Sequence, residues 1–221
     1  MNTTLKNIIG RTYKPWLEKY LAKTRQYKYK GIKIEIPPEV FHPGFFFSTK
    51  LLLQFVERMD LHEKKLLELG CGSGLISIMA AQKDAVVTAT DINSIAVEFL
   101  KKNSSYNKVS LKIIRSDLFQ EIPPQLFDII VINPPYYKKQ PVTEKDHAWF
   151  CGENGEYFSR MFGTISNFIH TDTMILMVLS DGCDKEMIDG IAVLNGFMLN
   201  CVHSRQNMLE KNFIFKIEQQ V

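Results

Sequence analysis

Short apolar runs alternate along the chain with longer segments in which apolar positions recur at helical spacing. Residues 65–69, 86–89, 111–114, 127–132 and 174–179 read as strands, because they are rich in β-branched residues or Leu and bounded by polar or turn residues. Residues 75–82, 94–103 and 156–169 read as amphipathic helices, with a further helix over 184–194. Ser94 stands where a helix cap is expected. Strand and helix in turn build a parallel sheet covered on both faces, so the expected fold is α/β and doubly wound. Two β-like runs, 197–203 and 212–217, follow with no helix between them and predict an antiparallel hairpin at one sheet edge. The only boundary signal is Pro37-Pro38, which separates residues 1–40 from 41–221.

Length and composition agree with that pattern. The 221 residues, 45% of them hydrophobic, suit one α/β domain with a sizeable core. No apolar run approaches the roughly 20 residues of a membrane span, and the opening MNTTLKNIIGRTYKPW has no apolar signal region, so no membrane association is expected and the cytoplasm is the expected address. Cys71, Cys151, Cys183 and Cys201 are dispersed without a C-x-x-C pair, which predicts reduced thiols and no metal site.

Charge changes the picture at the front. Residues 1–40 hold nine Lys/Arg against three acids, a balance of +6, while the remainder carries 18 against 21. Interleaved with Tyr13, Trp16, Tyr20, Tyr27 and Tyr29, these cations would suit a surface for phosphate backbone and stacked bases. The alternative is a helix pair that docks its aromatics on the domain.

Three strand ends carry chemistry. After strand 65–69, Gly70-Cys71-Gly72-Ser73-Gly74 opens a helix, presenting bare backbone amides to a ligand. A dinucleotide fingerprint would place its third glycine at Leu75, and Glu68 beside the loop is poor company for a pyrophosphate. Glu68 suits a cationic ligand whose ammonium it holds directly or through water; otherwise the loop is a tight structural turn. Asp91, in Thr90-Asp91-Ile92-Asn93, lies 21 residues beyond Gly70, the spacing at which an acid accepts hydrogen bonds from ribose hydroxyls. The plainer reading is an Asp that caps the following helix. At the third tip, Asp117 and Leu118 can hold an adenine amino group beside an apolar wall.

The fourth strand end is DIIVINPPYYKK, where a buried run meets Asn133-Pro134-Pro135-Tyr136. Two adjacent prolines neither continue a helix nor donate to a ladder. An Asn oxygen and a proline carbonyl held rigidly there can each accept an N–H from a planar nitrogen, while the Tyr136 ring offers a stacking face. Strand alternation predicts that Tyr137 turns away from its neighbour.

Taken in order, ELGCGSG, TDIN, SDLF and NPPY resemble the motifs of class I S-adenosylmethionine-dependent methyltransferases, and NPPY resembles the branch that methylates planar amide or amino nitrogens. From about residue 41 onward the chain is similar to the HemK-like release-factor glutamine methyltransferases, and AWFCGENGEYFSRMF and SRQ before FIFKI look like the short eukaryotic and archaeal forms. The resemblance implies a Rossmann-like, mostly parallel seven-stranded sheet with an antiparallel C-terminal strand, preceded by a short helical extension over 1–40. It implies S-adenosyl-L-methionine as cofactor, held by Thr49, Glu68, Gly70, Gly72, Gly74, Asp91, Ile92, Asp117, Leu118 and Asn133. Asn133, Pro134 and Tyr136 take the catalytic roles, with Pro135, Gly152 and Gly155 also lining the substrate. HPGFFFSTKLLLQF is similar to the helix that closes over the cofactor, where Phe46 and Phe47 join Thr49, whereas Trp149 is expected in the core. The implied acceptor is a protein glutamine, on a translation factor, with a small activating partner protein. A nucleic-acid base amino group is the rival acceptor, and a catalytically silent binding module the third reading.

Overall fold

Five apolar residues of Phe127–Ile132 form a strand buried on both faces, and the Asn133-Pro134-Pro135 that follows ends it at the centre of the molecule. The computed structural model of the chain describes residues 20–207 and 210–220. In chain order the strands are β1 (Arg25–Tyr29), β2 (Ile32–Ile36), β3 (Lys65–Leu69), β4 (Val86–Asp91), β5 (Lys112–Arg115), β6 (Phe127–Ile132), β7 (Ile169–Ser180), β8 (Phe197–Gln206) and β9 (Lys211–Gln219). The helices are α1 (Phe47–Val56), α2 (Leu75–Ala81), α3 (Ser94–Tyr106), α4 (Glu156–Ile165) and α5 (Lys185–Leu194).

The main sheet has seven strands in the order β5-β4-β3-β6-β7-β9-β8. Neighbours from β5 to β7 pair in parallel, and β9 runs antiparallel between β7 and β8. The expected C-terminal hairpin is therefore present, with its second strand docked on the sheet. One face is covered by α1, α2 and α3 around Leu52, Ile76 and Leu100, the other by α4 and α5 around Phe158, Phe162 and Ile188. Chain order reverses between β3 and β6, and a doubly wound sheet opens a crevice for ligands at that point. The glycine loop and Asn133 flank it.

Two expectations are corrected. The helix expected over 156–169 stops at Ile165; a 3-10 turn, Ser166–Phe168, follows, and β7 begins at Ile169. The extension expected to be helical is instead, over 25–36, an antiparallel hairpin. Lys30 and Gly31, at φ 43° and 90°, make the tight turn. Ile32, Ile34 and Ile36, each 2% exposed, enter the same core as α1 and α2, at about 1.5–3 kcal/mol per side chain. Alternation won over the helical reading because one hairpin face had a core to bury against. The part of that expectation on residues 1–19, Tyr13 and Trp16 included, lies outside the described residues. Among the described residues no helix is long and apolar enough to cross a membrane.

Candidate active site

At the end of β6, the Asn133 side-chain amide donates to Thr49 Oγ1 at 3.1 Å. Thr49 sits in the first turn of α1 and is 8% exposed, so packing holds its hydroxyl in place. With its nitrogen committed, the Asn133 carboxamide keeps Oδ1 for an incoming N–H. Pro134 and Pro135 are buried and rigid behind it. Tyr136 and Tyr137 do not turn apart: both line the cavity, with ring centroids 4.9 Å apart at 55°. Two prolines break the extended backbone on which alternation depends. Burial pushes both phenols above their ordinary range, so they act as neutral donors and stacking surfaces.

The glycine loop is fastened to the neighbouring strand. The Gly70 and Cys71 amides donate to Thr90 O at 2.9 and 2.8 Å, and the Gly72 amide to Asp91 Oδ2 at 2.8 Å. Asp91 Oδ1 accepts from Asn93 N at 2.9 Å, and Asn93, rather than Ser94 or Asp91, caps α3. Asp91 thus joins two strand tips and retains lone pairs toward the cavity. Burial raises its pKa, against the lowering effect of the Asn93 and Gly72 amides. Gly74 is a packing residue, outside the cavity lining: at φ 79° a Cβ there would lie 2.0 Å from Leu100 Cδ1.

Glu68 is buried in the cavity wall and accepts from the backbone amide and the hydroxyl of Ser77. Burial pushes its carboxyl up to about 8, the Ser77 bonds opposing. A carboxylate so placed favours a cation beside it. Beyond β5, Asp117 and Leu118 line the cavity, and Arg160 pairs with Asp117 at 2.6 Å.

The chain after Tyr137 folds back as a roof. A 3-10 helix, Glu144–Ala148, begins with a Thr143/Asp146 capping box. Glu144 accepts from Ser94 N at 3.1 Å, Ser94 Oγ at 3.2 Å and Arg115 Nη2 at 2.8 Å, tying this roof to α3 and β5. Trp149, expected in the core, is half-buried in the cavity lining, 5.1 Å from Phe41 and 5.0 Å from Phe46, which stack at 4.0 Å. Phe46 therefore shapes the entrance through its neighbours, and Phe47 lies beneath Arg205, 5.8 Å away. Gly152 and Gly155 lie outside the lining: Gly152 N donates to Lys139 O, and a Cβ on Gly155 would meet Ile191 at 2.8 Å. They shape the turn into α4. Sequence reading also missed Phe41, Glu144, His147 and Tyr157, all in the lining; only the aromatics carried any signal, as apolar residues in a polar stretch.

One crevice thus joins Thr49, Glu68, Gly70, Gly72, Asp91, Ile92, Asp117, Leu118, Asn133, Pro134, Pro135 and Tyr136. Its buried carboxylates, one fixed by backbone amides and one kept from any cation, fit a ligand with ribose hydroxyls and an ammonium group.

Residues 32–153 match the family model of the methyltransferase small domain. A protein of Methanocaldococcus jannaschii named "Putative protein N5-glutamine methyltransferase" is 39% identical over 172 residues, covering 75% of this chain and 85% of that protein. The ribosomal RNA small subunit methyltransferase C of Haemophilus influenzae is 37% identical over 129 residues, 52% of this chain; the match spans 38% of that protein's length. Among solved structures, the E. cuniculi Mtq2-Trm112 complex, described as responsible for methylation of the eRF1 translation termination factor, aligns with a TM-score of 0.62 at 23% identity, covering 82% of this chain and 99% of that one. That likeness is one of fold. The chain belongs to the methyltransferase small domain family and is an S-adenosylmethionine-dependent methyltransferase.

Proposed function

We propose that the chain methylates the side-chain amide nitrogen of a protein glutamine. The observation that carries this reading is the Asn133–Thr49 bond, which leaves Asn133 Oδ1 beside the Pro134 carbonyl as acceptors for the two N–H groups of a primary amide. The M. jannaschii relative, matched over most of its length, supports it by name.

An amide nitrogen is a poor nucleophile because its lone pair is delocalised, so orientation is what the site must supply. Asn133 Oδ1 and Pro134 O fix both N–H groups and aim the remaining lone pair into the crevice. Tyr136 stacks on the amide plane, beneath the roof around Trp149. When bound, S-adenosylmethionine supplies the electrophilic methyl group; Asp91 accepts its ribose hydroxyls, Glu68 answers its ammonium, and Asp117 and Leu118 flank its adenine. The acceptor nitrogen becomes acidic as its new bond to carbon forms, so its proton passes to water without a dedicated base.

The second reading is methylation of a base amino group, supported by the H. influenzae relative's name and by the same acceptor pair, which suits an exocyclic amine. A small activating partner protein belongs to the proposal by analogy with the Mtq2-Trm112 pair. Incubation with methyl-labelled cofactor and either ribosome-associated protein or total RNA separates the readings. Label in protein, recovered as N5-methylglutamine, is the expected result; label confined to RNA overturns it.

A further inference from the structure

The β1–β2 hairpin and α3 enclose a second cleft, which shares no lining residue with the cofactor crevice. Its construction is specific. Asn103 in α3 and Asn107 at its C-terminal cap, one helical turn apart, use their side-chain amides to continue the β2 ladder. Asn103 accepts from Glu35 N at 2.8 Å and donates to Glu35 O at 3.0 Å. Asn107 accepts from Lys33 N at 3.0 Å and donates to Lys33 O at 2.7 Å. The outer edge of β2 is thereby satisfied at Lys33 and Glu35, and the hairpin is tied to α3 as a wall of the domain. Asn103, 2% exposed, also donates to Ser73 O at 3.1 Å, so the floor of the cleft is bonded directly to the cofactor loop.

The chemistry of the lining is cationic and aromatic. Lys28 and Lys33 stand directly opposite each other across the hairpin, a like-charge pair that destabilises a sheet by itself. Lys102 joins them from α3, together with Tyr27 and Tyr106. Among the described residues neither Lys28 nor Lys33 is ion-paired, while Lys102 reaches Glu98 at 2.6 Å on an exposed surface, where such a pair is weak. One carboxylate, Glu35, is also in the lining. Tyr106 is 64% exposed, with Lys33 Nζ 5.6 Å from its ring centroid, so an aromatic surface lies open to solvent beside the cations.

The geometry points to a binding site for single-stranded nucleic acid in this cleft, with Lys28, Lys33 and Lys102 on successive phosphates and a base stacked on Tyr106. Three lysines in one lining answer a polyanion, and an exposed ring beside them answers the π-face of a base, the pairing that single strands use. An acidic peptide would satisfy the lysines and leave Tyr106 without a partner. The site is separate from the one that takes the methyl acceptor and stands whichever nitrogen is methylated; through Asn103 and Ser73 it places bound nucleic acid next to the cofactor loop.

The test is fluorescence anisotropy with the full chain and a labelled single-stranded RNA of about 12 nucleotides, near the site size of known single-strand binders. With three phosphates neutralised, affinity should fall roughly 20-fold between about 50 and 200 mM salt. Lys33→Gln with Lys102→Gln should cut that loss to about 3-fold, one contact remaining. Tyr106→Ala should weaken binding about 5-fold or more at both salt concentrations without changing the slope. Unchanged affinity for S-adenosylhomocysteine in every variant shows that the fold is intact and keeps the result independent of the acceptor's identity. Wild-type affinity and slope in the double lysine variant would overturn the proposal. So would a labelled polyglutamate peptide that binds as tightly as the RNA and loses as much in the same variants, since that would assign the cleft to a protein.

Discussion

The Asn133 side-chain amide and the Thr49 hydroxyl, 84 positions apart in sequence, meet at 3.1 Å where β6 ends and α1 begins. The bond commits the amide's nitrogen to a buried hydroxyl and leaves its oxygen for a ligand of the crevice that Asn133 lines. The resemblance assigns Thr49 to the cofactor; its observed contact is with Asn133, and the two roles separate experimentally.

Thr49→Val keeps the shape and removes the hydroxyl. Methyl transfer should fall about 10- to 100-fold, the scale for losing one orienting contact, with cofactor affinity within about 2-fold of wild type. Thr49→Ser should restore most of the rate. Calorimetry with S-adenosylhomocysteine, alongside single-turnover transfer, decides the matter: weaker cofactor binding with an unchanged transfer step would return Thr49 to the cofactor.

Glu68 gives the pH dependence. Burial raises its carboxyl to about 8, so in the empty enzyme it is protonated at neutral pH, whereas in the unfolded chain it ionises near 4.5. Its contribution to stability is accordingly fully present below about 4.5 and lost as pH rises through about 8. A ligand ammonium favours the carboxylate and reverses that preference. Cofactor binding near pH 6.5 should therefore release close to one proton, and affinity should rise with pH up to about 8. Calorimetry in buffers of different ionisation heat measures this directly. Glu68→Gln should abolish the proton release; the same release in that variant would place the titration elsewhere.

Much of this frame is legible in the sequence. Apart from their ends, β3, β4 and β6 are buried on both faces, so apolar residues dominate them, and the glycine loop and Pro134-Pro135 punctuate them where the backbone must change course. The hairpin at Arg25–Tyr29 and Ile32–Ile36 is hidden by its own charge, because Lys28, Lys33 and Glu35 hold three of its four outward positions and the five-residue strands are too short to outweigh a charge count. Glu144 is missed, and Trp149 assigned to the core, for a different reason. They act from a polar loop with no periodicity, and their roles depend on contacts with Ser94, Arg115, Phe41 and Phe46 that only folding creates. Tyr137 is misjudged by carrying strand geometry past two prolines.

Asp91 carries two loads, and its variants should show both. Asp91→Ala removes the proposed ribose acceptor and unties Gly72 from Asn93, so cofactor affinity should drop by roughly 1.5 to 3 kcal/mol and the apo protein should melt at lower temperature. Asp91→Asn keeps one acceptor oxygen, and calorimetry should place it between wild type and Ala. Cofactor affinity equal to wild type in Asp91→Ala would remove the ribose from this end of the crevice.

The most direct test of the account is Asn133→Ala under single-turnover conditions. If Asn133 orients the acceptor nitrogen on the way to the transition state, transfer should slow by a factor of about 100 or more while affinity for S-adenosylhomocysteine stays within about 2-fold of wild type, with circular dichroism showing an intact fold. A folded Asn133→Ala enzyme that transfers methyl groups at the wild-type rate would contradict it, leaving Asn133-Pro134-Pro135-Tyr136 as nothing more than the end of a strand.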